Sequence, residues 1–358
     1  MPAFWTESDF DDHESVSLVR DRASGLTAIF AIHSTFLGPA AGGTRFWHYA
    51  DPALAMRDAL RLSRGMSYKN AMAELPMGGG KAVILADAPD KNGGHTKTPE
   101  MLAAFGDAVE ALGGRYVTAE DVGISEADMV AVARRTRHVS GLPAGDSSAG
   151  GDPGPFTAMG IYHGIKAAVA HKLGKDSVDG VHVAVMGTGS VGGGVARLLH
   201  RDGARLTLAD VNEDRARTLA RELDAAVVAP DAIMGVACDV FSPNALGAIL
   251  DDAGIARLDC AVVAGGANNQ LARPEHGAAL ADRGILYAPD YVINAGGIIS
   301  VTLEHLARQN GAHCDINEVR KRLAQIPDRL MAIWEESEST HVSPDVVADR
   351  MAQKLIGR

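Results

Sequence analysis

The segment Val181–Glu213, VHVAVMGTGSVGGGVARLLHRDGARLTLADVNE, constrains the fold more than any other part of the chain. An apolar run rich in valine enters a G-x-G-x-x-G turn at Gly187, Gly189 and Gly192. A helical pattern follows, and a second apolar run ends in Asp210, 23 positions after Gly187. A strand, a glycine turn and a helix in that order build a dinucleotide site, whereas the glycine spacing alone would be weak. Gly187 permits the tight turn, Gly189 lets backbone approach a pyrophosphate, and Gly192 lets helix and strand pack closely. The N–H groups at the start of the helix then face the phosphates. Asp210 suits the ribose hydroxyls and repels a 2′-phosphate, which favours NAD over NADP. Arg215 and Arg217 nearby read as solvated helix charges.

Around this turn the pattern alternates. Thr157–His171 reads as a helix, VHVAVMG and RLTLAD as strands each followed by a helix, and AVVA, CDVFSP, CAVVAGG and ILYAPD as further strands. Such alternation predicts βαβ units on a parallel sheet, a Rossmann domain over residues 146–324. The stretch GLPAGDSSAGGDPGP, Gly141–Pro155, is dense in glycine, proline and serine and marks a hinge between folded units. Before it, LTAIFAIH, KAVIL and RYVTA read as strands, Pro52–Lys69 as a helix, and LGPAAGGTR, Gly38–Arg45, as a glycine-rich turn. The expected class is therefore α/β with two domains. The first spans residues 1–145 and is completed by helices returning at about 325–358. A chain of 358 residues accommodates about two domains.

Several function classes are disfavoured. No run of about 18 apolar residues predicts a membrane span. The acidic start MPAFWTESDFDDHES lacks the basic and apolar regions of a secretory signal. Three widely spaced cysteines, Cys238, Cys260 and Cys314, offer neither a disulfide framework nor a metal pair, so no metal is expected and a cytoplasmic location is. A formal charge of -11 argues against nucleic acid as a partner.

The first domain offers two lysines, Lys69 in SYKNAM and Lys81 in LPMGGGKAVIL. The second is not a P-loop lysine, because Leu75 stands where that motif needs glycine and Ala82 where it needs a hydroxyl. Few charges surround either lysine. Two ammonium groups partly desolvated in one cleft lower each other's proton affinity, so one can bind a carboxylate while the other serves as base. AEDVG adds Asp121 at the end of a strand, where it can exchange protons with a lysine. Tyr162 and Lys166 form a YxxxK pair, which reads as a chance i,i+4 neighbour on a helix because it precedes the fingerprint.

LGPAAGGTR, RLSRGMSYKNAMAELPMGGGKAVI, RYVTAEDVG, GTGSVG, GGANNQL and APDYVINAGG together resemble the amino-acid dehydrogenase superfamily, in its leucine, valine and phenylalanine branch. The motifs occur in order over nearly the whole chain. The resemblance implies NAD-dependent, reversible oxidative deamination of an L-amino acid to a 2-oxo acid and ammonium, in a homo-oligomer whose first domain binds substrate. It implies Lys81 and Asp121 as the catalytic pair, Lys69 with Gly42 and Gly43 at the substrate carboxylate, and Asn294 between substrate and nicotinamide. Gly187, Gly189, Ser190, Val191, Gly192, Asp210, Thr157, Ala264, Gly265 and Asn268 fall where the family holds its cofactor. Ala41, Ala119, Ile298 and Val301 match the side-chain pocket, which is apolar and disfavours glutamate. Alanine at position 41, where leucine enzymes usually carry leucine, is shared with some phenylalanine enzymes. Leucine is thus the first expectation for the substrate and phenylalanine the second. A hydroxy-acid dehydrogenase would use histidine and arginine instead, and none of the 13 histidines has such a setting. A non-catalytic NAD sensor would need neither lysine nor Asp121.

Overall fold

The computed structural model describes residues 4–88, 96–143 and 152–358. Most of the Gly141–Pro155 hinge expected from composition lies outside the described residues. The chain divides into two compact units. One comprises Met1–Gly151, Val301–Ile316 and Ala352–Arg358, and the other comprises Asp152–Ser300 and Asn317–Met351.

In the first unit, β1 (Ser15–Arg20), β2 (Thr27–Ser34), β3 (Ala40–Trp47), β4 (Gly78–Leu85) and β5 (Tyr116–Ala119) form a sheet in the order β1-β2-β4-β3-β5. The pairs β1–β2 and β2–β4 are antiparallel, while β3 runs parallel to both β4 and β5. Helix α1 (Pro52–Met72) starts at an Asp51 cap, with proline in its first turn. Helices α2 (Pro99–Ala111) and α3 (Glu126–Val132) cover the opposite face.

Period-two alternation sorts the side chains between the two faces. Phe30, Ala40, Phe46, Ala82, Ile84 and Tyr116 join Phe105, Val109 and Met129 in the larger core. Ile29, Ala31 and Val83 pack on Ala55 and Ala59 of α1. Residues of β3, β4 and β5 that share the face of Val83 therefore look toward α1. They are Ala41, Gly43 and Arg45, then Gly79 and Lys81, then Val117 and Ala119.

LGPAAGGTR is a correction to the sequence reading, because only Gly38, at φ 141°, belongs to a turn, and Ala40–Trp47 is a central strand. Glycine is required there by close approach and not by turning. A Cβ on Gly42 would lie 1.8 Å from the Gly80 carbonyl oxygen, and one on Gly79 would lie 2.0 Å from the Ser67 nitrogen of α1.

The second unit holds β6 (His182–Met186), β7 (Arg205–Ala209), β8 (Ala226–Val227), β9 (Val240–Pro243), β10 (Val262–Val263) and β11 (Leu286–Tyr287). Their order is β11-β10-β9-β6-β7-β8, and every pairing is parallel. This is the Rossmann order, with its switch point between β6 and β9. Its helices are α4 (Gly154–Leu173), α5 (Ser190–Arg201), α6 (Glu213–Leu223), α7 (Asp252–Arg257), α8 (His276–Asp282) and α9 (Asp290–Ile293).

The C-terminal part forms α10 (Gly296–Gln309), α11 (Ile316–Leu323), α12 (Ile326–Thr340) and α13 (Pro344–Leu355). A return to the first unit over the whole of 325–358 is not what occurs. Residues 317–351 stay with the Rossmann unit, because α12 buries Trp334 there. Its indole stacks on His171 of α4 and donates to the Tyr287 carbonyl at 3.0 Å. The return is made by 301–316 and 352–358, where Gln353 donates to the Tyr68 hydroxyl and Arg358 to the carbonyls of Asp11 and Asp12. Among the described residues, no helix is long and apolar enough to cross a membrane.

Candidate active site and dinucleotide turn

Lys81 lies in β4, 5% exposed, on the face that looks toward α1. The Thr44–Ala82 pair places it beside Gly43, which pairs in turn with Ala119. Two residues beyond Ala119, Asp121 returns to the same face, and the Lys81 Nζ donates to its Oδ2 at 2.7 Å. The two residues singled out as a proton-transfer pair are thus in direct contact. Burial lowers the Lys81 pKa, Asp121 opposes that effect, and Arg45 adds to it. Burial alone would raise the Asp121 carboxyl, but Lys81 and Arg45 outweigh it and hold the group below its ordinary value.

Gly42 and Gly43 sit in the same layer. A Cβ on Gly43 would come within 2.9 Å of the Asp121 Cβ, and one on Gly42 within 3.1 Å of Met66 of α1. Lys69 stands three residues after Met66, hence on the same side of the helix, and is half-buried. Beneath the strand, the buried Tyr116 donates its hydroxyl to the Gly42 carbonyl at 2.6 Å. Ala41 is 5% exposed and pairs with Gly79 and Val117 one row back. Arg45 and Asp58 belong to this layer; Asp58 lies in none of the motifs, while Arg45 lies in LGPAAGGTR and Tyr116 in RYVTAEDVG with no role read for either.

In the Rossmann unit, Gly187 takes φ 91° at the end of β6, and a Cβ on Gly192 would lie 1.9 Å from the Gly187 carbonyl oxygen. Asp210 follows β7 and is buried. Its carboxylate accepts from the Thr188 N–H at 2.7 Å, the Thr188 hydroxyl at 2.9 Å and the Asn212 N–H at 2.8 Å. Burial would raise this carboxyl, yet those donors hold it below its ordinary value. Asp210 therefore fastens the glycine turn to the second strand. Its Oδ2 takes both Thr188 bonds, while Oδ1 takes one and keeps capacity for a hydroxyl donor. A glycine-lined turn at a helix N-terminus with an ionised acceptor beside it fits a dinucleotide carrying ribose hydroxyls. Ser190 donates to Asp152 at 3.1 Å, and Val191 packs where a Cβ on Gly266 would lie 3.2 Å away.

Asn294 and the Ala264–Asn268 segment, 26 or more positions apart in the chain, meet in space. The Asn294 amide donates to Asn268 Oδ1 at 2.7 Å and to the Gly266 carbonyl at 3.1 Å. Ala264 is fully buried at the end of β10, and a Cβ on Gly265 would strike Pro243 of β9. Thr157 donates to the Pro153 carbonyl at 3.0 Å and supports Gly297. Ile298 is half-buried in the second unit, and Val301, on the same helix, is buried in the first. Tyr162 and Lys166 are engaged elsewhere: both bind Asp202 at the end of α5, a structural tie between helices. Among the described residues, no group of histidine, cysteine and acidic side chains could hold a metal ion.

Residues 13–138 match the model of the Glu/Leu/Phe/Val dehydrogenase dimerisation domain, and residues 207–355 match the glutamate/leucine/phenylalanine/valine dehydrogenase model. The chain belongs to this family. It is an amino-acid dehydrogenase with a Rossmann-type domain. It is 46% identical to the leucine dehydrogenase of Thermoactinomyces intermedius, over 96% of this chain and 91% of that one. It is 45% identical to the valine dehydrogenase of Streptomyces albus, over 97% and 93%. The crystal structure of L-tryptophan dehydrogenase from Nostoc punctiforme superposes with a TM-score of 0.83 at 40% identity, covering 96% of each chain.

Proposed function

We propose that this amino-acid dehydrogenase carries out NAD-dependent, reversible oxidative deamination of a branched-chain L-amino acid, leucine first, to the 2-oxo acid and ammonium. The observation that carries this reading is the 2.7 Å contact between a buried lysine and an ionised aspartate in a glycine-walled layer. The 46% identity to a leucine dehydrogenase supports the choice of substrate.

NAD, when bound at the Gly187 turn, supplies the acceptor for the α-hydrogen that leaves as hydride. The chain's own residues do the rest. Lys69 and the Gly42–Gly43 backbone hold the substrate carboxylate and contribute positioning. Lys81, whose proton affinity burial lowers, takes a proton from the water that adds to the substrate imine. Asp121 receives that proton across the 2.7 Å bond and returns it to the departing amine. Asn294 orients the substrate. Asp210 accepts from the adenosine ribose and disfavours a 2′-phosphate. Three free cysteines fit a cytoplasmic enzyme, and the dimerisation-domain match supports a homo-oligomer.

Phenylalanine is the second reading. It is favoured by the small Ala41 and by the 40% identity to a tryptophan dehydrogenase. One methylene in an apolar pocket shifts selectivity by only about 1–3 kcal/mol. NADH formation with a panel of L-amino acids and L-hydroxy acids tests both. Leucine, isoleucine and valine are expected to give the highest kcat/KM, with measurable phenylalanine activity and none on hydroxy acids. A strong preference for phenylalanine would replace leucine, and activity confined to hydroxy acids would remove the proposal.

A further inference from the structure

Asp121 does not face Lys81 alone. Its Oδ2 also accepts from the Arg45 Nε at 3.1 Å, and the Arg45 Nη1 donates to Asp58 Oδ2 at 2.9 Å. Asp58, on α1, is held in turn by the Tyr49 hydroxyl at 2.8 Å and by Arg61 at 3.1 Å on its other oxygen. The result is an unbroken chain of charges: Lys81, Asp121, Arg45, Asp58. Sheet register creates it. Arg45 pairs with Val83, two residues beyond Lys81, so both side chains leave the same face of neighbouring strands. Arg45 and Asp58 are each about four-fifths covered, at 22% and 20% side-chain exposure, so water screens them little.

We propose that Arg45 is a positioning residue of the reaction, clamped by Asp58, which fixes Asp121 against Lys81 and sets the charge that the lysine faces. The proposal rests on Lys81 and Asp121 being the proton-transfer pair. A planar guanidinium suits this place because its fork spans two carboxylates at fixed angles. With Arg45 and Lys81 both donating to the Asp121 Oδ2, the carboxylate is held in its ionised form. The cation also repels a proton on Lys81, consistent with the direction of the lysine's shift. The charged groups facing Lys81 are Asp121 after β5, Arg45 on β3 and Asp58 on α1. Helix α1 also carries Lys69, which every variant below retains.

The test is the pH profile of kcat/KM for L-leucine oxidation with NAD, in the parent, Arg45→Gln, Arg45→Lys, Asp58→Asn and Lys81→Ala. The ionisation of leucine itself is common to all of them. If neutral Lys81 is required, activity rises with pH through the lysine's apparent pKa. Arg45→Gln removes a cation and should move this limb upward by about 1 pH unit or more, with a roughly tenfold loss well below it. Asp58→Asn removes an anion and should move the limb downward. Arg45→Lys keeps the charge and should hold the limb near the parent's, with a lower kcat from the lost fork.

Lowered activity in Arg45→Gln without movement of the limb, or movement in the same direction in Arg45→Gln and Asp58→Asn, would overturn the inference. Should Arg45→Gln not fold, an unmoved limb in Asp58→Asn overturns it alone. Lys81→Ala separates the two levels. If it turns over normally, the proton-transfer assignment itself is wrong. If it is inactive yet binds NADH while the Arg45→Gln limb stays put, only the role of Arg45 falls.

Discussion

The Tyr116 hydroxyl donates to the Gly42 carbonyl from the core side of the sheet, at 2.6 Å. In a trans peptide the carbonyl and the following N–H point in opposite directions, so this bond also orients the Gly43 N–H. Tyr116 is fully buried. Tyr116→Phe removes a donor from a buried carbonyl and should cost about 1–3 kcal/mol of stability. If the Gly43 N–H helps to hold the substrate carboxylate, the KM for the amino acid should rise while the KM for NAD stays level. Urea unfolding and steady-state kinetics on the same preparation check this. Lower stability with unchanged KM would confine Tyr116 to the fold.

Lys81 and Lys69 should fail differently. Lys81→Ala removes the group that moves protons, so kcat should fall by roughly 10²–10⁴ while NADH still binds. Lys69→Ala removes a carboxylate ligand, so the defect should appear chiefly as a higher KM. Amino-acid amides should be poor substrates of the parent, and less disadvantaged relative to acids in Lys69→Ala. Equal use of amides and acids by the parent would refute the role of Lys69.

Asp210 combines two roles that different substitutions separate. Asp210→Asn keeps an oxygen acceptor for Thr188 but removes the negative charge. It should therefore narrow the NAD over NADP preference while leaving the turn in place. Asp210→Ala also removes the acceptor that receives the Thr188 N–H and hydroxyl. It should weaken NADH binding beyond the Asn variant. NADH binding by fluorescence, with kcat/KM for both coenzymes, distinguishes them. An unchanged coenzyme preference in both variants would mean that another residue reads the ribose.

The Gly187 turn was legible in the sequence because its signals are contiguous: an apolar run, spaced glycines and a helix start all lie within a few residues. The glycine strand β3 was not. Glycine is a poor strand former, and at Gly42 the strand accepts it because Gly80 of β4 and Met66 of α1 approach closely enough to exclude a Cβ. Lys81 and Asp121 could be named from their motifs, but their contact depends on strands 40 positions apart adopting one register. Asp58 lies in no motif, and Arg45, though it ends LGPAAGGTR, shows no role there, since its pairing with Asp121 spans 76 positions and exists only once β3 lies beside β5. The placement of the tail is hidden for a similar reason: helical periodicity identifies α12, but only tertiary packing places Trp334 against Tyr287 and His171.

Glu304 gives a prediction about stability and pH. It lies on α10, buried, with Oε1 3.4 Å from the Arg308 Nε and Oε2 shielded from water without a hydrogen-bond partner. Burial raises its carboxyl above the ordinary value, and Arg308 and the Gly141 N–H only partly offset this. The sign follows from linkage. As pH rises past the ordinary glutamate value, near 4.5, the unfolded chain releases this proton while the folded chain retains it. The unfolded state then binds fewer protons, so this group's contribution to stability falls with pH until the folded carboxyl also ionises. Above that point the loss is constant. Glu304→Gln cannot ionise, so its stability relative to the parent should increase as pH rises through that window and then level off. Urea midpoints of the two proteins, compared from acid to neutral pH, measure the difference. A constant difference at every pH would show that Glu304 ionises alike in the folded and unfolded chains.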